Sequence, residues 1–191
     1  MRLSRFASSF ILAAGVLAGS FALAAEPEDT LILKLKDGEV SIALRPDLAP
    51  QHVERIKALV RAGEYDNVAF HRVIEGFMAQ TGDVQFGDLE DGYDARRVGT
   101  GGSSQPDLPA EFSREPFERG TLGMARSQSP DSANSQFFIM FAPASHLDGS
   151  YTVVGKVESG MEFVDAIKRG DPETGLMADP DRIVSARIAA D

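Results

Sequence analysis

Short runs of β-forming residues, broken by Gly, Pro and Asp and never alternating with helices, are what most constrain the fold of this chain. Residues 30–36 (TLILKLK) and 39–44 (EVSIAL) flank Asp37-Gly38, a tight-turn signal, so the three together predict a hairpin. Further strands are predicted at 68–74, 77–80, 121–125, 137–141, 152–157 and 182–189. One helix starts at Pro50, where the missing N–H costs nothing. Val53, Ile56, Leu59 and Val60 fall on one of its faces, and Gly63 ends it. Ser159 and Glu162 have capping-box spacing before a second, short helix that ends at Gly170. Many strands, two helices and no βαβ unit argue for a closed or nearly closed antiparallel sheet. A length of 191 residues suits one domain. The Gly-, Pro-, Asp- and Ser-rich stretch 84–119 reads as long surface loops, because strands resume after it.

The N-terminus has a different character. Arg2 and Arg5 precede an apolar run over 6–25, the first acid is Glu26, and Ala22-Leu23-Ala24 fits the small-x-small exit of a signal peptidase site. Residues 1–24 are therefore expected to be a secretory signal peptide and 25–191 the mature domain. An uncleaved anchor is the alternative, since the run is nearly long enough to span a bilayer. Its Ala, Gly and Ser content favours removal.

Composition narrows the chemistry. The formal net charge is −10, which opposes binding to a nucleic-acid backbone. There is no Cys, which excludes a disulfide framework, a cysteine-ligated zinc site, a thiol nucleophile and a lipoprotein anchor. His52, His71 and His146 have no metal-ligand spacing, and His52 is expected to be partly exposed on its helix. No metal or other cofactor is expected. Gly149 to Lys156 has one residue too many for a phosphate loop, Gly99-Thr-Gly-Gly lacks the context of a dinucleotide site, and no G-x-S-x-G elbow occurs.

Two segments mix polar groups into apolar runs. In 70–83 (FHRVIEGFMAQTGD), alternation would put Phe70, Arg72 and Ile74 on one face, with Gln80 closing the run. On pattern alone Arg72 reads as a solvent-facing side chain. In 134–141 (NSQFFIMF), Gln136 adjoins Phe137, Phe138 and Phe141, at least two of which are expected in the core.

Four ordered blocks carry a resemblance. They are F-H-R-V-I-x-G-F-M-x-Q-x-G-D, then G-T-G-G, then S-x-x-S-Q-F-F-I, then L-D-G-x-Y-x-V-x-G-K-V. Together they resemble the cyclophilin family of peptidyl-prolyl cis–trans isomerases, in a bacterial, exported form, from about Thr30 to the C-terminus. The resemblance implies a mainly β fold, a closed eight-stranded antiparallel β-barrel capped by two α-helices, with its active site in a groove on the outer face. It places Arg72 on the catalytic arginine and Gln80 on the glutamine that positions it. Phe77, Met78, Phe137 and Leu147 fall on the proline pocket, and Ala125, Arg126 and Gln136 on the groove for the preceding residues. Arg126 stands where animal members usually have Asn. Tyr151 replaces their pocket histidine, and His146 their tryptophan. That indole contacts cyclosporin in sensitive members, so weak inhibition is expected. Glu75 replaces a more common Pro, which implies a looser turn.

The implied activity is acceleration of X-Pro isomerisation during folding of exported proteins in the periplasm. The implied partners are proline-containing polypeptides, with no nucleic acid and, once the signal is cleaved, no membrane. A monomer is expected. A peptide-binding or chaperone module without catalysis is the alternative, though it would have no need of Arg72. A three-histidine metal hydrolase is a further one, requiring His52, His71 and His146 to converge.

Overall fold

The computed structural model describes residues 25–191, so the expected signal segment lies outside them. The predicted hairpin forms as β1 (Thr30–Lys34) and β2 (Glu39–Leu44), with Ile32 opposite Ser41. Val40, Ile42 and Leu44 of β2 are buried and alternate with Glu39, Ser41 and Ala43, as period two requires. Helix α1 (Pro50–Arg61) follows, with Pro50 in its first turn. It ends at Gly63, whose φ of 73° is the left-handed conformation glycine adopts without strain. Then come β3 (Arg72–Ile74), β4 (Met78–Thr81), β5 (Thr121–Met124), β6 (Phe137–Met140), β7 (Val153–Ser159), α2 (Met161–Asp165) and β8 (Ser185–Ile188).

The eight strands form one antiparallel sheet in the order β3-β4-β6-β5-β7-β2-β1-β8. It is an open half-barrel, which corrects the expectation of a closed barrel: β3 and β8 are its edges and do not pair. The physical reason lies in the C-terminal segment. Residues 181–183 bond to 68–70 through Phe70 N–H to Asp181 O (2.8 Å) and Ile183 N–H to Val68 O (2.9 Å). Residues 170–177 lie along β3, with Val73 N–H donating to Gly175 O (2.7 Å). Irregular chain thus satisfies the edge groups that a ladder would otherwise use. It also shortens the predicted strand 68–74. Val68 and Ala69 make only isolated bridges, and regular alternation starts at Arg72. Phe70 therefore packs inside instead of sharing the face of Arg72.

The curled sheet separates two apolar layers. The inner one takes Leu31, Leu33, Ile42, Val73, Ala79, Leu122, Met124, Phe137, Ile139, Val154 and Ile188 from the eight strands, with Val53, Ile56 and Val60 from α1 and Val164 from α2. The outer one joins Met78, Phe117, Phe138, Met140, Ala144, Leu147 and Val153. Adjacent residues of β6 thus belong to different layers, which fixes the side of the sheet on which a site can form.

Two local expectations fail. His52 is fully buried, not partly exposed. Residues 106–111 cross the start of α1, where Glu111 Oε2 accepts from His52 N–H (3.1 Å) and sits 2.6 Å from His52 Nδ1, and Arg55 donates to Pro106 O (2.8 Å). The capping box at α2 also does not form. Ser159 ends β7, and the N-cap is Gly160 at φ 82°, without a side-chain cap. The helix stops at Asp165, short of Gly170.

Candidate active site

The outer face of β3, β4 and β6 carries the site. In the antiparallel pair β3–β4, Arg72 lies opposite Gln80, so the strand register brings the two side chains together. The β3–β4 turn is Glu75-Gly76, with Gly76 at φ 69°. Glu75 carries a surface ion pair. Arg169 Nε lies 2.5 Å from Glu75 Oε2 while its guanidinium stacks 4.2 Å from the centre of the Phe141 ring.

Beside Arg72 opens a cavity of about 320 Å³ lined by Arg72, Phe77, Met78, Gln80, Ala125, Arg126, Phe138, His146, Leu147 and Tyr151. Met78, Phe138 and Leu147 are buried and make its apolar floor. Phe137 does not line it. That expected pocket residue is fully buried in the inner layer, 5.5 Å edge-to-face from Tyr65. The pocket residue is its neighbour Phe138, which strand alternation puts on the same face as Gln136. Phe138 stacks on Phe117 at 5.7 Å, and Tyr151 meets both edge-on. His146 is exposed at the rim, stacked on Phe77 at 5.8 Å.

A second cavity of about 480 Å³ adjoins the first and shares Gln80, Ala125 and Arg126 with it. Its other walls are polar: Thr100, Ser103, Asp107, Asn134 and Gln136 among them. Arg126 is the partition. Its guanidinium lies 4.4 Å from the centre of the Tyr151 ring and donates to Ser127 O (2.9 Å) and Ser150 O (3.1 Å), so it braces two loops.

A chain of hydrogen bonds runs behind both cavities. Gln136 Nε2 donates to Gly101 O (2.8 Å), Gln80 Nε2 donates to Gln136 Oε1 (3.0 Å), and Arg72 Nη1 donates to Gln80 Oε1 (3.4 Å). The Gly101 carbonyl can only accept, so Gln136 must turn its amine there and its oxygen to Gln80. That in turn aims the Gln80 oxygen at Arg72. The Gly101 carbonyl is itself placed by Asp83, whose Oδ2 accepts from Gly99 N–H (2.7 Å) and Gly101 N–H (2.9 Å). A Cβ on Gly101 would lie 2.4 Å from Asp83 Oδ1, which is why the loop needs glycine there.

His71 lies under the same loop, buried, with neither ring nitrogen hydrogen-bonded. Burial pushes its pKa down to about 4, so it is neutral near pH 7. The three histidines lie in separate surroundings. His52 faces Glu111, His71 lies beneath Gly99 and His146 stacks on Phe77. Among the described residues no group of three or more His, Asp or Glu could hold a metal ion.

Comparisons with known proteins converge. The profile described as "Cyclophilin type peptidyl-prolyl cis-trans isomerase/CLD" matches residues 30–188. A "Probable peptidyl-prolyl cis-trans isomerase" of Brucella suis is 63% identical over 189 residues, covering 98% of this chain and 96% of the relative. The crystal structure of cyclophilin AquaCyp293 from Hirschia baltica superposes with a TM-score of 0.73 at 26% identity, over 87% of this chain and 76% of the other. A Cryptosporidium parvum cyclophilin type peptidyl-prolyl cis-trans isomerase, solved in the presence of the dipeptide Ala-Pro, gives 0.71 at 26% identity, over 83% of this chain and 98% of the other.

Proposed function

The chain belongs to the cyclophilin family of peptidyl-prolyl cis–trans isomerases, and on that premise we propose that Arg72 is its catalytic donor and that its substrates are exported proteins. Rotation about an X-Pro bond breaks amide resonance, a barrier of roughly 18–20 kcal/mol. The uncatalysed step takes tens to hundreds of seconds, slow enough to limit folding. As the bond twists, the prolyl nitrogen becomes pyramidal and its lone pair localises. A guanidinium N–H aimed at that nitrogen bonds more strongly to the twisted state than to the planar one, and this difference lowers the barrier. A guanidinium stays charged at every working pH, so the donor needs no titration.

The observation that carries this reading is the Arg72 guanidinium at the edge of an apolar cavity, with Gln80 beside it. The cavity over Met78, Phe138 and Leu147 receives the proline ring, with Phe77 and His146 at its rim. The polar cavity beyond Arg126 receives the residues that precede proline, along Ala125 and Gln136. Ala-Pro in the Cryptosporidium relative supports proline-containing peptides as ligands. Reaching a millisecond event from ~100 s needs about five decades, or about 7 kcal/mol. One charged donor, fixation of the ring and reduced solvation share that sum. The N-terminal pattern of residues 1–24 supports export to the periplasm and a membrane-free mature chain, which we take to act as a monomer. A protease-coupled assay with the processed chain and a short Ala-Pro peptide tests the whole reading. Turnover well above the uncatalysed rate is expected, and a rate equal to it would overturn the assignment.

A further inference from the structure

Arg72 has two protein partners among the described residues, and the shorter contact is not the one to Gln80. Its Nη1 reaches Gln80 Oε1 at 3.4 Å, at the outer limit for an N–H···O bond, whereas its Nε donates to the backbone carbonyl of Thr174 at 3.1 Å. Nη2 is left without a protein partner among the described residues. A side chain held only at Nη1 could swing about its long stem. Held at Nε as well, the plane of the guanidinium is set.

The Thr174 carbonyl lies in a turn whose inner bonds converge on one carboxylate. Asp171 Oδ1 accepts from Glu173 N–H (3.0 Å), Thr174 N–H (2.9 Å) and the Thr174 hydroxyl (2.9 Å), which folds 171–174 into a tight turn. Gly175 N–H closes it by donating to Asp171 O (2.7 Å). The turn is then pressed onto β3. Gly170 N–H donates to Val73 O (2.9 Å), Val73 N–H to Gly175 O (2.7 Å), and a Cβ on Gly175 would lie 2.4 Å from Ile74 Cγ1.

We propose that Asp171 is a positioning residue of the isomerase: through the turn it folds, it holds the Thr174 carbonyl against Arg72 Nε and so aims the remaining N–H groups of Arg72 at the prolyl nitrogen. This rests on the reading of Arg72 as the donor. Misplacing a reacting group by about 1 Å can cost on the order of a hundredfold, and loss of one of two holds is expected to cost about tenfold in kcat with KM unchanged. Asn offers the same Oδ1 acceptor, so Asp171→Asn should keep the turn and the rate, whereas Asp171→Ala should lose both.

The test uses the processed chain and measures kcat and KM in both Asp171 variants and in Arg72→Ala, and the ¹H–¹⁵N signal of Arg72 Nε in the unmodified protein and both Asp171 variants. Slow exchange of that Nε–H in the unmodified protein and in Asp171→Asn, and its loss together with kcat in Asp171→Ala, are the expected results. A folded Asp171→Ala with full kcat, or with Nε–H still protected, overturns the proposal. Full activity of Arg72→Ala would overturn the donor reading itself, and the Nε–H signal would then still decide whether the turn holds the side chain.

Discussion

A single arginine carries the proposed chemistry, so Arg72→Ala gives the sharpest residue-level expectation. Losing one well-placed charged donor costs about 2.7–4 kcal/mol in comparable sites, on the order of a hundred- to a thousandfold in kcat. Its two hydrogen bonds add little to the fold, about 1 kcal/mol each. Arg72→Lys should rescue weakly, because an ammonium cannot span Thr174 O and Gln80 in one plane. Turnover and Tm measured on the same preparations check this, and a folded variant with full turnover would refute the donor role. His71 gives a second expectation. Its folded pKa of about 4 lies below the unfolded value of 6.5. Between those limits the unfolded chain binds a proton that the folded chain refuses. Stability therefore falls as pH drops from 6.5 towards 4, by at most about 1.4 kcal/mol per unit from this group. Following the His71 ring by NMR during titration should give a midpoint near 4. A midpoint near 6.5 would mean the ring is solvated.

At the scale of elements, β5 shows how a strand makes room for a pocket. Leu122 and Met124 face the interior, so Gly123 faces outward beneath the pocket aromatics. A Cβ there would lie 2.5 Å from Phe117 Cε1 and 2.6 Å from Phe138 Cζ. Overpacking of this kind typically costs about 1–3 kcal/mol, and each kcal/mol lowers Tm by about 2–4 °C in a domain of this size. Gly123→Ala should therefore lower Tm and also raise KM, because Phe138 must shift in the cavity floor. An unchanged melting curve with unchanged KM would show that the aromatic stack has slack. The Phe-Met-x-Gln-x-Gly-Asp block, whose Gln is Gln80, and the Gly-Thr-Gly-Gly block belong together for a similar reason. Asp83 ends the first and holds the amides of Gly99 and Gly101 in the second.

For the whole molecule, the first and last strands are neighbours, since β1 pairs with β8. The start of the folded chain therefore matters. Asp29, just before β1, sits 2.6 Å from the buried ammonium of Lys57. Removal of 1–24 keeps that partner, whereas a cut beyond Asp29 would leave the buried Lys57 ammonium with Glu54 at 3.7 Å in place of the closer pairing, and Tm should fall. Intact-mass analysis of the periplasmic fraction should find a species starting near Ala25. A full-length species confined to membranes would refute cleavage.

Local rules settled much of this protein from sequence alone. The β1–β2 hairpin, the start of α1 at Pro50 and its end at Gly63 follow from period, turn residues and φ preferences that act within a few residues. Local rules did not reach Arg72, Gln80 and Gln136: on pattern alone Arg72 reads as solvent-facing, and it is the resemblance that groups the three, which strand register and hydrogen bonds do bring together in space. Phe138 was within reach of those rules, since strand alternation separates it from Phe137. Tertiary structure alone decided the rest. The sheet stays open because a distant irregular segment satisfies the β3 edge, and His52 is buried because a loop 59 residues away crosses α1. The carbonyls of Gly101 and Thr174 hold the site, the second from 102 residues away. Every residue has such a carbonyl, so no side-chain pattern marks the two that matter; only the path of the chain through space selects them.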